Sequence, residues 1–201
     1  MFTLEPRKVA GYVIVATLLG ILVVQYVRAL PASVQDDRTA SCRALNPMPF
    51  NPKLGKLPAK APDFKAQDHT GQMASLAAYR GKVVFLNFWQ TACPPCKDEM
   101  PAMEALERHI GREDFVVLAL SSDPTWEPVR SFFPHGTEMT VLLDPPVEDE
   151  NLGSIAKSYG TERWPDTYLI DREGNVRYYY VNKRRWDSEN AVACINALLH
   201  E

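Results

Sequence analysis

The sequence predicts an α/β domain, built on a central mixed sheet flanked by helices and preceded by one transmembrane helix. Three observations support this prediction. An uncharged apolar run fills residues 9–27, two unbroken runs of β-type residues occupy 82–89 and 115–121, and segments of helical periodicity alternate with the strands. Because strands that alternate with helices form parallel sheets covered on both faces, we expect a largely parallel sheet that ends in an antiparallel hairpin.

The apolar run from Val9 to Val27 contains no charged residue. A helix of this length spans roughly 28 Å at 1.5 Å per residue, close to the hydrocarbon thickness of a bilayer. Arg7 and Lys8 precede the run, and the positive-inside rule then leaves residues 1–8 in the cytoplasm. We therefore predict a single-pass protein of the cytoplasmic membrane, with its C-terminal domain on the extracytoplasmic side. A cleaved signal peptide ending near Leu30-Pro31-Ala32 is the alternative, and it also delivers the domain to a compartment that permits disulfides.

Residues 28–58 are predicted to form a tether between the membrane and the domain. They show no apolar periodicity, and prolines, which break helices, recur along them at positions 31, 47, 49, 52 and 58. Proline-rich chain is stiff and extended, which suits a spacer. The folded domain is therefore predicted to occupy residues 59–201.

The domain is predicted to begin with a short hairpin and a buried strand–helix–strand unit. The run at 82–89 is apolar on both faces, which is typical of a central strand. The segment that follows places Met100, Met103, Leu106 and Ile110 on one face of a helix. The predicted elements of this half are strands 63–67, 72–74, 82–89 and 115–121 and a helix over 95–110.

The second half of the domain is predicted to contribute three helices, an edge strand and a closing hairpin. Pro128 falls in the first turn of one helix, where proline is tolerated, and Gly160 follows another at a position that favours glycine. Arg172-Glu173-Gly174-Asn175 is a hairpin turn signal. The predicted elements are helices 125–133, 152–159 and 188–199 and strands 141–144, 167–171 and 176–181.

Composition narrows the classes of function. The net charge of −3 lacks the basic excess of a nucleic-acid-binding protein, so no nucleic-acid partner is expected. Four cysteines are too few for a disulfide-built scaffold, so their spacing carries more information than their number.

The Cys93-Pro94-Pro95-Cys96 motif joins the predicted central strand to the predicted helix. Two intervening residues let both sulfurs meet within one helical turn, and the helix N-terminus stabilises a thiolate on the first. A thiolate is the species that attacks a disulfide. We therefore predict that Cys93 attacks a substrate disulfide and that Cys96 resolves the mixed disulfide. An inert structural bridge is the lesser alternative. A zinc site lacks a second ligand pair in the sequence, so neither a metal nor a cofactor is expected.

The segment Phe85–Lys97 (FLNFWQTACPPCK) resembles the active-site region of thioredoxin-fold proteins. More narrowly, it is similar to the membrane-anchored thiol-disulfide oxidoreductases of the TlpA/ResA/CcmG group. Pro101 matches the helix-kinking proline of that fold, and Trp164-Pro165-Asp166-Thr167 resembles its cis-proline segment. The resemblance covers about residues 59–199 and implies a thioredoxin-like fold with an N-terminal hairpin extension.

The resemblance also implies roles for individual residues. Asn87 stands where ordinary thioredoxins have a buried Asp, and it cannot accept a proton, so Glu99 is the candidate for proton transfer at Cys96. The alternative for Glu99 is a solvated residue of the first turn, favoured there by the helix dipole. A cis bond between Trp164 and Pro165 would leave the Trp164 backbone free to pair with an extended substrate, and the alternative is an ordinary trans proline entering an edge strand. Trp89 is a further predicted substrate contact.

The two prolines between the cysteines bear on the direction of electron flow. Neither Pro94 nor Pro95 has a backbone N–H, so the Cys93 thiolate has fewer hydrogen-bond donors and the pair is more reducing. We predict a reductase of protein disulfides. The resemblance implies a membrane thiol-disulfide transducer as electron donor. It implies a role in cytochrome c maturation, on apocytochrome c thiols, or in copper-oxidase assembly.

Two other functions are weighed against disulfide reduction. A copper-binding delivery protein of this fold would use His135 as a third ligand, although such proteins have three residues between their cysteines. A thiol peroxidase would need Thr or Ser three residues before Cys93, where Gln90 stands.

Cys42 and Cys194 are the remaining cysteines. Single cysteines in an oxidising compartment tend to pair, so a structural disulfide between them is predicted. The alternative is a buried Cys194 that acts as a small apolar residue, with Cys42 free.

Overall fold

The computed structural model describes residue 12 and residues 15–26, 39–147 and 150–201. The chain divides into two compact units, Met1–Ala40 and Ser41–Glu201. In the first unit, residues 15–26 are helical. Within the described ranges, no helix combines the length and apolarity needed to cross a bilayer. The predicted tail at 1–8, parts of the predicted span at 9–27 and tether residues 28–38 lie outside the described residues.

Within the described residues, the second unit contains eight strands and four named α-helices, and residues 41–44 are also helical. A 3-10 turn at Leu76–Tyr79 follows the third strand. The strands are β1 (Ala59–Lys60), β2 (Lys65–Asp68), β3 (Met73–Ser75), β4 (Val83–Trp89), β5 (Phe115–Ser121), β6 (Thr140–Leu143), β7 (Asp166–Ile170) and β8 (Asn175–Val181). The helices are α1 (Pro94–Ile110), α2 (Trp126–Phe132), α3 (Ser154–Tyr159) and α4 (Glu189–Leu199).

The strands form one mixed sheet in the order β1-β8-β7-β4-β5-β6-β2-β3. Among the described strands, only β4, β5 and β6 pair in parallel, β4 with β5 and β5 with β6. The hairpin β2–β3 joins β6 antiparallel, and β7 runs antiparallel to β4. The mixed sheet is confirmed, but the expectation of a largely parallel sheet is wrong, because hairpins flank the parallel centre on both sides. The two-residue strand β1 was not predicted, since so short a strand has no hydrophobic pattern.

Strand β4 lies at the centre, and every one of its residues is buried. Its alternate side chains enter two separate hydrophobic clusters, as the two-residue period of a strand requires. Phe85 packs in the cluster that contains buried residues of α1, α2 and α4, while Leu86 packs with residues of α3. Helices therefore cover both faces of the sheet, and β4 leads directly to the cysteine motif.

Residues 42–52, which we call the strap, belong to the compact unit that begins at Ser41. These residues were predicted to belong to the tether, with the domain starting at 59. Instead, Cys42 and Leu45 are buried in the core. The side chain of buried Asn51 donates to the Tyr159 carbonyl at 3.0 Å. The strap is helical at residues 42–44 and forms no further helix once its prolines begin at 47. Side-chain anchors and a disulfide hold it against the domain.

Candidate active site

Cys93 and Cys96 form a disulfide at the N-terminus of α1. Cys93 is the N-cap residue, and its sulfur accepts a hydrogen bond from the Cys96 N–H at 3.3 Å. Pro94 and Pro95 occupy the first two helical positions, where a missing N–H costs no helical hydrogen bond. Cys93 is 8% exposed and Cys96 is fully buried. The arrangement makes Cys93 the sulfur that a partner can reach.

The loop between β4 and Cys93 is fixed by Asp123, which lies just after β5. Its carboxylate accepts from the Thr91 N–H at 3.0 Å and from the Thr91 hydroxyl at 2.5 Å. The Ser121 hydroxyl donates to the same carboxylate at 2.6 Å. Sequence reasoning missed Asp123, although its position after a strand parallel to β4 was an available signal. These bonds hold the chain that presents Cys93.

Glu99 lies one turn after Cys96 on α1 and is 2% exposed. Its Oε1 accepts from the Asn87 side chain at 2.9 Å. Its Oε2 accepts from the Trp186 indole N–H at 3.0 Å and from the Arg184 backbone N–H at 3.2 Å. Burial raises the pKa of Glu99 to about 7, against these hydrogen bonds and the Arg184 charge, which lower it. Near neutral pH, this carboxyl can therefore both accept and release a proton.

The donors to Glu99 come from distant parts of the chain. Asn87 lies on β4 and also donates to the Thr167 hydroxyl at 3.0 Å. Trp186 is fully buried between β8 and α4, and it packs edge-on against Phe85 with ring centroids 4.7 Å apart. Sequence reasoning missed Trp186 and the Arg184 contact, and the loop that carries them has no pattern that would have indicated either.

The Trp164–Pro165 bond is cis and leads into β7. Pro165 is buried, and its carbonyl accepts from the Asn182 N–H at 2.8 Å. Trp164 is half-buried against both hydrophobic clusters, one of which contains Cys93 and Cys96. The predicted cis peptide is therefore present. It lies on the strand that pairs with β4, whose end carries the cysteine motif.

Trp89 does not fit its predicted role as a substrate contact. Its side chain is fully buried and packs against Phe132 and Phe133, with ring centroids 5.5 and 5.8 Å away. The alternation of β4 turns this side chain toward the helical layer rather than toward solvent. Trp89 is a core residue in this structure.

The structure also contains the second predicted disulfide, between Cys42 and Cys194. It joins the strap to α4, and both residues are fully buried. The Tyr180 hydroxyl donates to the Cys42 carbonyl at 3.1 Å. The alternative of a free Cys42 beside an unpaired, buried Cys194 is wrong, because the two Cα atoms are 4.6 Å apart and the sulfurs are bonded.

Asp166 is a second buried carboxyl near the cis peptide, and sequence reasoning did not identify it. It is 1% exposed, and its Oδ2 accepts from the Tyr179 hydroxyl at 2.9 Å. Burial raises the pKa of Asp166 to about 7, although the Tyr179 hydrogen bond lowers it. At neutral pH, this group carries only part of a negative charge.

Comparison with known proteins gives consistent matches. The model of the AhpC/TSA family matches residues 57–179. The thiol-disulfide oxidoreductase ResA of Bacillus thuringiensis subsp. konkukian is 37% identical over 124 residues, which cover 62% of this chain and 67% of the relative. The thioredoxin-like protein YneN of Bacillus subtilis is 35% identical over 124 residues, 61% of this chain and 69% of YneN.

Solved structures show the same similarity. A putative thiol:disulfide interchange protein DsbE from Chlorobium tepidum has a TM-score of 0.62 and 33% identity, and the match covers 70% of this chain and 95% of that one. A putative thiol-disulfide oxidoreductase from Bacteroides vulgatus has a TM-score of 0.58 and 30% identity, with coverage of 70% and 95%.

Proposed function

The chain belongs to the AhpC/TSA family, has a thioredoxin-like fold and is a thiol-disulfide oxidoreductase, and we propose that it reduces disulfides of protein substrates outside the cytoplasm. The observation that carries the proposal is the Cys93–Cys96 disulfide at the N-terminus of α1, with Cys93 as the reachable sulfur.

Reduction proceeds in two exchanges. The Cys93 thiolate attacks one sulfur of the substrate disulfide, a bond forms between them, and the second substrate sulfur leaves as a thiolate. The Cys96 thiolate then attacks the Cys93 sulfur, the Cys93–Cys96 disulfide re-forms, and the first substrate sulfur is released. Two electrons pass from the dithiol to the substrate, and the two protons of the protein thiols end on the substrate thiols.

Glu99 is the group proposed to move the second proton. It lies three residues after Cys96 on α1, so the two side chains share a helix face. Its pKa of about 7 lets it accept the Cys96 proton as that thiol becomes the attacking thiolate. The same proton can then pass to the substrate thiolate that leaves.

The hydrogen bonding of Cys93 supports the reducing direction. The Cys96 N–H donates to the Cys93 sulfur, while Pro94 and Pro95 offer no N–H at the preceding helical positions. A thiolate with few donors is poorly stabilised, which makes the dithiol a better electron donor.

The cellular setting is the remaining part of the proposal. The apolar residues 9–27 are proposed to anchor the chain in the bacterial inner membrane, with the second unit in the periplasm. The Cys42–Cys194 disulfide supports an oxidising compartment. A membrane thiol-disulfide transducer would supply electrons. Apocytochrome c or a copper-receiving oxidase subunit would accept them, in cytochrome c maturation or copper-oxidase assembly.

A trapping experiment tests substrate and direction together. A Cys96→Ser variant, expressed in the organism that encodes the chain, keeps the mixed disulfide at Cys93 because no thiol resolves it. We expect mass spectrometry to identify the trapped substrate, and the Cys93→Ser/Cys96→Ser variant to trap nothing. A dithiol potential near that of a strong disulfide-forming oxidant, roughly −120 mV, would reverse the proposed direction.

A further inference from the structure

A cleft of about 370 Å³ lies between the strap and the segment that precedes the cis peptide. The strap lines it with Met48, Pro49, Phe50 and Pro52, and the segment before Trp164 lines it with Glu162 and Arg163. Strands β7 and β8 complete the lining. This volume is at the lower end of the range for ligand sites, roughly 300–1,000 Å³, and is suited to a large side chain.

The strap exposes apolar surface beside this cleft. Phe50 is 57% exposed and Met48 is 41% exposed. The described residues of the second unit expose four large apolar side chains, and these two both line the cleft. Apolar side chains that cluster at a concave surface mark an interaction site more strongly than apolar residues exposed singly.

The strap holds these side chains in place before anything binds. The Met48 N–H donates to the Tyr179 carbonyl at 2.7 Å, which fixes the strap on β8. The Arg184 side chain donates to the Leu45 carbonyl at 2.9 Å, and the Cys42–Cys194 disulfide ties the start of the strap to α4. A preorganised surface loses little conformational entropy on binding. The strap therefore holds its apolar side chains in position for a ligand before binding occurs.

The charge on the cleft lining favours an uncharged occupant. Glu162 and Arg163 carry opposite charges and are both exposed, so they add no net charge. Burial raises the pKa of Asp166 to about 7, which leaves this third ionisable group partly neutral at physiological pH. The cleft lining therefore carries little net charge, which suits an apolar side chain.

Lining residues of the cleft flank the Trp164–Pro165 cis peptide on both sides in the sequence. Glu162 and Arg163 directly precede the Trp164–Pro165 cis peptide, and Asp166 directly follows it. Building on the proposed function, we propose that the cleft binds an aromatic or branched aliphatic side chain of the protein substrate, adjacent to the cysteine that Cys93 attacks. Met48 and Phe50 then determine substrate preference, while the dithiol performs the exchange.

The test compares matched disulfide peptides. The full chain in lipid nanodiscs is reduced, freed of reductant and mixed with three cyclic disulfide peptides that differ only in having Phe, Leu or Ser beside the attacked cysteine. We expect the wild type to react about fivefold faster with the Phe and Leu peptides than with the Ser peptide, the size expected for one anchoring side chain. The Met48→Ser/Phe50→Ser variant should react with all three at similar rates.

Met73→Ser is the matched control, because Met73 is 62% exposed but lies on β3, outside the cleft. This variant should keep the wild-type preference. The single variant Phe50→Ser, whose side chain is mostly exposed, provides the same test if the double variant fails to fold. A wild type without apolar preference, or a preference that survives loss of both strap side chains, would overturn the proposal and leave the cleft to another occupant, such as a second copy of the chain.

The same experiment separates this inference from the proposed function. Glutathione disulfide and the Ser peptide carry no apolar anchor, so their reaction reports the dithiol chemistry alone. If neither oxidises the reduced wild type, the proposed function fails. If both react and no apolar preference appears, the cleft assignment alone fails.

Discussion

The indole N–H of Trp186 donates to Oε2 of Glu99 at 3.0 Å, across 87 positions of sequence. Trp186 is itself held by edge-on contacts with Phe85 and Tyr180. The Tyr180 hydroxyl donates to the Cys42 carbonyl. A continuous set of contacts thus runs from the Cys42–Cys194 disulfide to the carboxyl beside the redox-active pair.

Replacing Trp186 with Phe should raise the pKa of Glu99 above its present value of about 7. The Trp186 hydrogen bond lowers that pKa, because an N–H donor stabilises the carboxylate, and a Phe ring removes the donor while keeping an aromatic side chain in the core. Titration of the Glu99 carboxyl by carbon NMR in the oxidised protein measures the change.

Trp89→Phe is the matched control for this prediction. Trp89 is also fully buried, and its indole N–H has no hydrogen-bond partner in the described part of the chain. It should therefore lose similar volume without affecting Glu99. Equal titration curves for wild type and Trp186→Phe would show that the hydrogen bond does not set the pKa.

Replacing Glu99 with Gln should change how stability depends on pH. The pKa of Glu99 is raised on folding from 4.5 to about 7, so the native state binds more protons than the unfolded state between these values. Native stability from this group is then full below pH 4.5 and falls as pH rises toward 7. The Gln variant lacks this loss, so its stability relative to wild type should increase across the window by at most about 3 kcal/mol.

Urea unfolding of both proteins at pH 4.5 and pH 8 measures this difference. The slopes of other buried carboxyls, such as Asp166, cancel because both proteins contain them. A wild-type-minus-variant difference that stays constant with pH would contradict the assignment of the raised pKa to Glu99.

Removing the Cys42–Cys194 disulfide should destabilise the domain substantially. The bond joins residues separated by 152 positions. The chain-entropy model gives about 5 kcal/mol for so long a loop, and disulfides typically contribute about 2–4 kcal/mol. We expect the Cys42→Ser/Cys194→Ser variant to show this loss in guanidinium unfolding.

Cys93→Ser/Cys96→Ser provides the comparison, because that bond spans a separation of only 3 and restricts the unfolded chain far less. Its loss should cost clearly less stability than loss of the long-range bond. Equal effects would mean that the strap contributes nothing through its disulfide. Peptide mapping without reductant should also recover a peptide pair that joins Cys42 to Cys194.

Local patterns account for what the sequence could predict. Two of these patterns each lie within a short stretch of sequence: the run at 82–89 and the helical face formed by Met100, Met103 and Leu106. The observed ends of β4 and α1 lie within two residues of their predicted bounds. The cysteine motif was recognisable because it lies between this predicted strand and this predicted helix. Each of these signals is complete within a single stretch of chain.

The features that the sequence could not predict depend on contacts between residues far apart along the chain. The strap was predicted to be a spacer because prolines, which break helices, recur along it. Buried Asn51 and Cys42 nevertheless anchor it to α3 and α4, more than 100 positions away. Trp89 was predicted to contact substrate, but the alternation of side chains along β4 directs it into the core. Two of the three donors to Glu99, the Arg184 N–H and the Trp186 indole, lie on an irregular loop, where no periodicity marks a functional side chain.

Replacing Pro95 with Ala should make the dithiol less reducing. Pro95 is the second helical residue after Cys93, a position from which a backbone N–H can bond to the N-cap side chain. Alanine supplies that N–H beside the one from Cys96, which stabilises the Cys93 thiolate, lowers the pKa of the thiol and raises the potential. One added hydrogen bond of about 1 kcal/mol corresponds to roughly 20 mV for a two-electron couple.

Equilibration with glutathione measures this potential, and thiolate absorbance measures the pKa of Cys93. Pro101→Ala is the control, since Pro101 lies inside α1 beyond the first turn, where a restored N–H cannot reach the sulfur. A potential that rises only in Pro95→Ala ties the reducing character to the missing donor. If the two variants shift equally, helix stability rather than hydrogen bonding to Cys93 sets the potential, and the physical argument for a reductase fails.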